Sequence, residues 1–300
     1  MKQSGFQFAN KKSLFDVIAE VNNSKATKAE KVIALKAAGL RDKEIDDMLR
    51  AVASASKAKK FTYTFGVEIE CYHANKYELL QGAMAFGLKM KDTGYTHEDN
   101  HEFYKIVPDA SLQGNDNNEV VSPILKGGHT GLASIKKVTG VLRGVNAKVN
   151  KSCGLHVHIS CPEMTPEHYI NVFKNYQKLE QLINSFMPAS RRDAMYSRSL
   201  KHFNFSNCHT YADVQHKMGS RYYNVNPMSW SRHNTIEFRQ HSGTVEYEKI
   251  ANWVKFLAGL VEYSRNNVFE ADVTSVDDVP FLKDAQKKFY KARIEHFANI

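Results

Sequence analysis

Phe61-Thr62-Tyr63-Thr64-Phe65-Gly66-Val67-Glu68-Ile69-Glu70-Cys71 is the stretch on which the fold turns. Every odd position in it is apolar and every even one is polar or Gly. Period two predicts a β-strand with one face on a core. On the other face Glu68 and Glu70 point the same way, about 7 Å apart at the backbone. Two carboxylates on one sheltered face repel unless a cation or an Arg lies between them. A face open to water would carry them without consequence, so the neighbouring strands must decide.

Two later stretches repeat the pattern. In Gly154-Leu155-His156-Val157-His158-Ile159-Ser160 the apolar Leu155, Val157 and Ile159 alternate with His156, His158 and Ser160. In Thr235-Ile236-Glu237-Phe238-Arg239-Gln240-His241, Ile236 and Phe238 alternate with Thr235, Glu237, Arg239 and His241. A wet face more often carries Lys, Thr, Ser and Gln. The expected fold is therefore α+β: one curved antiparallel sheet covered by helices, its open side lined with metal and phosphate ligands.

The chain of 300 residues suits one large domain or two small ones, and an apolar fraction of 42% supplies a core. No run approaches the ~18 apolar residues of a membrane span, and the first residues lack a signal-peptide core. These features predict a soluble, cytoplasmic protein that avoids membranes. Cys71, Cys153, Cys161 and Cys208 form no CxxC pair, which argues against a zinc knuckle and suits reduced thiols. The net charge is +9, and residues 1–60 hold 13 Lys and Arg against 7 Asp and Glu. A basic excess suits ATP, a polyanionic substrate or nucleic acid.

Residues 1–60 read as a separate helical unit, with residues 61–300 as the catalytic domain. Ser13 to Val21 suits a short helix. Thr27-Lys28-Ala29-Glu30 has the form of a capping box ahead of Val32, Ile33 and Leu35. A second helix is expected from about Asp42, with Ile45, Met48, Leu49 and Val52. Helix, glycine-containing turn, helix is the outline of a helix-turn-helix, and equally of a docking or oligomerisation unit. Ala51 to Lys60 reads as helix end and linker.

Further along, Lys76 to Met90 has helical periodicity. Asp109 with Ser111 suits a turn that satisfies its own backbone, and Glu119 opens an apolar run ended by Pro123. Gly127-Gly128-His129-Thr130-Gly131 precedes a helix over Leu132–Leu142 and resembles a phosphate-binding turn, though it matches neither a P-loop nor GxGxxG. Thr165-Pro166 starts a helix reaching about Met187. Arg191, Arg192 and Arg198 form a basic loop, and Asn207 to Gly219 reads as irregular. Helices follow over Tyr247–Tyr263 and from about Lys283.

Magnesium and manganese prefer oxygen ligands. Glu68, Glu70, Glu119 and Glu237 can supply such a shell, with His156 joining it. Arg239 can then meet a phosphate bidentately. Two other uses fit the residues. His156-x-His158 with a Glu suits a zinc hydrolase, but leaves Arg239 and the surplus carboxylates idle. A binding protein with no chemistry would hold nucleic acid through residues 1–60. Glu237 with Arg239 also suits a plain cross-strand ion pair.

These motifs together resemble the amidoligase family of the carboxylate–amine ligase superfamily, which includes glutamine synthetase and glutamate–cysteine ligase. The carrying residues are Gly66–Glu70, Asp109–Ser111, Glu119–Pro123, Cys153–Ser160 and Thr235–Arg239, within about residues 61–265. Arg192 to Tyr196 and Arg221 to Asn226 look like the family's intervening segments. The resemblance implies a glutamine-synthetase-like sheet that binds ATP with Mg²⁺ or Mn²⁺. It implies Glu68, Glu70, Glu119, His156 and Glu237 as metal ligands, with His158, Ser160, Arg192 and Arg239 on the nucleotide. Thr235 stands where the superfamily's last motif often has Arg, which leaves that phosphate contact to Arg221 or another Arg. The implied reaction joins a carboxylate (of an amino acid, a peptide or a protein) to an amine through an acyl phosphate, in a chain whose relatives are often homo-oligomers.

Overall fold

The computed structural model describes residues 28–42, 45, 63–96, 98–161 and 163–299. Eight strands form one sheet: β1 (Thr64–Cys71), β2 (Met90–Asp92), β3 (Tyr104–Pro108), β4 (Asn118–Val121), β5 (Leu125–Lys126), β6 (Gly154–Ser160), β7 (Val225–Asn226) and β8 (Ile236–Ser242). Their order is β2-β3-β4-β1-β6-β8-β7, with β5 also paired to β1. Only β2 and β3 run parallel; the other pairs are antiparallel. The helices are α1 (Lys28–Ala37), α2 (Lys76–Ala85), α3 (His129–Gly144), α4 (Pro166–Ser185), α5 (Tyr211–Met218), α6 (Ser229–His233), α7 (Tyr247–Ser264) and α8 (Asp284–Ala298). The α+β class and the mostly antiparallel sheet follow the alternating patterns of β1, β6 and β8.

Phe65, Val67, Ile69 and Cys71 are at most 1% exposed and belong to one apolar cluster with Ile135 and Val138 of α3, Tyr169 and Phe173 of α4, and Trp253 and Leu257 of α7. Each such large side chain, fully buried, contributes roughly 1.5–3 kcal/mol of transfer free energy. Helix α3 packs on α2 and α7, and α7 packs on α4 and β6, so this layer covers one face of the sheet. Gly131 permits the fit. A Cβ there would lie 2.2 Å from the Lys126 carbonyl oxygen and 2.7 Å from the Phe65 ring. The glycine-rich turn thus serves helix–strand packing on the core side.

The local start signals act as the sequence indicates. The Thr165 hydroxyl accepts the His168 N–H and Pro166 opens α4. Two readings are corrected. The helix from Lys76 stops at Ala85, because Gly87 turns left-handed at φ 62° and the chain re-enters the sheet at Met90. Asn207–Gly219 is not irregular: α5 occupies its second half, held by a capping box between Thr210 and Asp213 and ended at Gly219. Of residues 1–60, α1, the turn after it and the buried Ile45 are described. The expected helix over Ser13–Val21, most of the second helix and the linker lie outside the described residues. Among those described, no helix is long and apolar enough to cross a membrane.

Candidate active site

Strand register builds the site on the face of the sheet opposite the helices. Glu70 on β1 stands across from Glu119 on β4. Glu68 stands across from His156 on β6, and Gly66 across from His158. His158 stands across from Glu237 on β8. Acid and imidazole from four adjacent strands thus meet at the floor of one cleft of about 660 Å³. Its walls come from the β2–β3 and β3–β4 connections, the segment around Arg191–Tyr196, and residues 221–235.

The side chains are tied to one another. His156 Nδ1 lies 3.0 Å from Glu68 Oε2 and 3.8 Å from Glu237 Oε1, while its Nε2 lies 3.5 Å from Glu70 Oε1. His158 Nε2 lies 3.1 Å from Glu68 Oε1, and its Nδ1 lies 2.9 Å from the Thr235 hydroxyl. Glu70 also accepts the Gly154 N–H. Glu237 takes a bond from Asn226 Nδ2 on β7 and pairs with Arg239. Burial drives the Glu68 carboxyl toward protonation, but the bonds and charges of the two histidines together hold its pKa well below the ordinary value. Burial likewise opposes ionised Glu237, and Arg239 and then His158 lower it on balance. Burial also works against a charged His158, and the bond and charge of Glu68 raise it.

Glu119 is the exception. Burial and then the negative charges of Glu68 and Glu70 push its pKa well above the ordinary carboxylate value. The charges that bear most on Glu119 are thus all negative, an excess that a divalent cation would offset. Two groups have ligand atoms within 4.8 Å of one another: Glu68, Glu119 and His156; and Glu68, His158 and Glu237. Each offers two carboxylates and one imidazole, a set dominated by oxygen that suits Mg²⁺ or Mn²⁺ better than zinc. The residues present fit a divalent cation.

Arg239 overlooks this cluster. Its Nε donates to the Tyr196 carbonyl oxygen at 3.2 Å, and its guanidinium lies 6.0 Å from the Tyr222 ring centroid. Arg221 approaches the same ring at 5.1 Å and is exposed at the cleft wall. Ser160, opposite Thr64 at the end of β6, also lines the cleft, as does Asp109, whose Oδ1 accepts the Ser111 N–H at 2.7 Å in the expected turn.

Two sequence readings are corrected here. Arg192 is outside the cleft: its Nε donates to the Met187 carbonyl oxygen, and its side chain lines a separate, smaller groove between α4 and α8. The neighbouring Arg191 is the one that reaches the cleft, because the 3₁₀ turn Ala189–Arg191 directs successive side chains to different sides. His241 is not on the open face either. Between Leu155 and Val157 the register with β8 shifts, so that Arg239 and Gln240 together oppose His156. This β-bulge returns His241 to the core, 5.5 Å from the Trp253 ring, where burial drops its pKa to about 3 and keeps it neutral. Arg191, Tyr196, Tyr222 and Asn226 were missed as site residues. Their signals are the basic loop for Arg191 and the family-like segments Arg192–Tyr196 and Arg221–Asn226 for the others, none of which singles out one residue.

No match to a curated protein was found. A family model described as "Putative amidoligase enzyme" matches residues 62–261, two thirds of the chain. That span takes in every acidic, imidazole and guanidinium group of the cluster just described, and by this match the chain belongs to the amidoligase family.

Proposed function

We propose that the protein is an ATP- and Mg²⁺-dependent carboxylate–amine ligase that works through an acyl phosphate, on a sheet of the glutamine-synthetase kind. The observation that carries this reading is the register that stacks Glu119, Glu70, Glu68, His156, His158 and Glu237 across four adjacent strands beneath Arg239. Glu68, Glu119, His156, His158 and Glu237 would hold divalent cations, which neutralise polyphosphate charge. Arg239, with Arg221 at the wall, meets the phosphate oxygens; a planar fork suits two oxygens at once. A substrate carboxylate oxygen then bonds to the γ-phosphorus as the bond to ADP breaks. The amine nitrogen next bonds to the acyl carbon, phosphate leaves, and the amine proton goes with it. The chain's part is to hold the reactants together and to stabilise charge developing on the transferring phosphoryl group.

Free thiols at Cys71, Cys153, Cys161 and Cys208, all buried, support a cytoplasmic setting. The test is ADP formation and nucleotide binding measured with Mg²⁺, Mn²⁺ and Zn²⁺, alongside metal analysis. Glu68→Ala and Glu237→Ala are each expected to cut Mg²⁺-dependent ADP formation by roughly a thousandfold or more. Unchanged turnover in both variants, or stoichiometric zinc without ATP binding, would overturn the reading.

A further inference from the structure

Arg191 is 6% exposed and lines the cleft, and its guanidinium is spent on main-chain carbonyls. Its Nε donates to the Gln240 carbonyl oxygen at 3.2 Å, and its Nη2 donates to the Arg239 carbonyl oxygen. These are the two residues of the bulge that together face His156. A bulge disrupts the ladder locally and leaves backbone groups in need of partners. Arg191 takes up both carbonyls with one rigid fork. On the far side of the same residue, the Arg239 N–H bonds to the Asn224 carbonyl oxygen at 2.9 Å. The backbone of Arg239 is thereby clamped from both sides.

A second observation places Arg191 beside the acids. A Cβ built on Gly154 would lie 3.0 Å from His156 Nε2, 3.1 Å from Arg191 Nη2 and 3.4 Å from Glu70 Oε2. The backbone at Gly154 thus lies close to all three groups, and a side chain there would press on them. Arg191 thus bears a fixed positive charge next to Glu70 while it holds the turn of chain that aims Arg239.

We propose that Arg191 is a positioning residue: it sets the β8 bulge and, through it, the placement of the Arg239 guanidinium over the acidic cluster. Its catalytic consequence rests on the ligase reading; its hold on the bulge does not. A lysine keeps the charge but cannot span two carbonyls. Arg191→Lys is therefore expected to lower kcat for ADP formation by roughly ten- to a hundredfold, the cost of losing a supporting partner. It should also speed amide hydrogen exchange over residues 237–242 while exchange in β1 stays slow.

The deciding measurement is a double-mutant cycle. If Arg191 acts through Arg239, Arg191→Lys with Arg239→Lys is no slower than Arg239→Lys alone. Multiplicative losses would overturn the proposal, as would unchanged exchange in the 237–242 segment. Should Arg191→Lys fail to fold, Arg191→Gln serves in the same cycle, since its amide can reach one of the two carbonyls but not both; additivity there overturns the proposal equally. If the unaltered chain makes no ADP, the ligase reading falls, and the exchange experiment alone decides whether Arg191 sets the bulge.

Discussion

The two faces of the sheet are stabilised in opposite ways. On the helix side Phe65, Val67 and Ile69 are almost fully buried among apolar neighbours, and burial itself is the stabilising term. On the cleft side Glu70, His156 and Glu237 are nearly as buried, at 6, 6 and 5% exposure, and burial is a cost that each partner must offset. Hydrophobic contact is non-directional, so every residue of the first face is satisfied at once. Charge pairing is directional, and at Glu119 burial and the neighbouring acids Glu68 and Glu70 push the carboxyl pKa up. The difference teaches that one face is stabilised by shape and apolar area alone, the other by which charges its neighbours bring.

Substitutions on the two faces should part company accordingly. Ile69→Ala removes buried methyl groups on the helix side and should cost about 4 kcal/mol of stability. Denaturant unfolding measures this, and per folded molecule the ADP-forming rate should stay close to that of the parent; a large rate loss would show that the faces are not separable. Arg239→Lys on the cleft side should do the reverse. It should lower kcat roughly a hundredfold with little change in melting temperature, because the fork is lost while the charge beside Glu237 remains. Steady-state kinetics with a thermal melt separates the two effects.

The smallest and most diagnostic effect concerns Glu119. It directly faces Glu70, and opposed like charges on paired strands destabilise by up to about 1 kcal/mol. Glu119→Gln should therefore raise metal-free stability while weakening Mg²⁺ binding. The folded-state pKa of Glu119 is raised above the ordinary 4.5, so its favourable contribution is complete below that value and is lost as pH rises through the folded value. The stability gap between variant and parent should widen with rising pH in metal-free buffer and narrow when Mg²⁺ is added. A gap that is the same in acid and at neutral pH, or indifferent to Mg²⁺, would refute the idea that the cluster lacks a cation.

Legibility followed the regularity of the backbone. Along β1 and β6 the pairing is unbroken from Thr64 with Ser160 to Ile69 with Leu155, so alternation in sequence translated directly into faces in space. Glu68, His156 and His158 were therefore readable, and so was Glu237, which precedes the irregularity in β8. Beyond it the same rule misplaced His241, because one extra residue in a strand reverses every later side chain. Arg191 and Arg192 were indistinguishable as letters; a 3₁₀ turn settled which of them entered the cleft. The helix over Tyr211–Met218 was missed for another reason, since its Thr210 and Asp213 capping box was present but unread.

By itself the sequence determined the α+β class, the apolar face of each main strand, the helix caps, and which residue types were available for chemistry. These depend on periods of two and 3.6 and on contacts within a few residues, which any local stretch carries. Only the tertiary structure decided which carboxylate opposes which imidazole, that Glu119 lies against other acids, and that Arg191 bonds to the carbonyls of Arg239 and Gln240. Those facts depend on strand order and on a bulge, which bring together groups 48 to 90 residues apart and are encoded in no single segment of the chain.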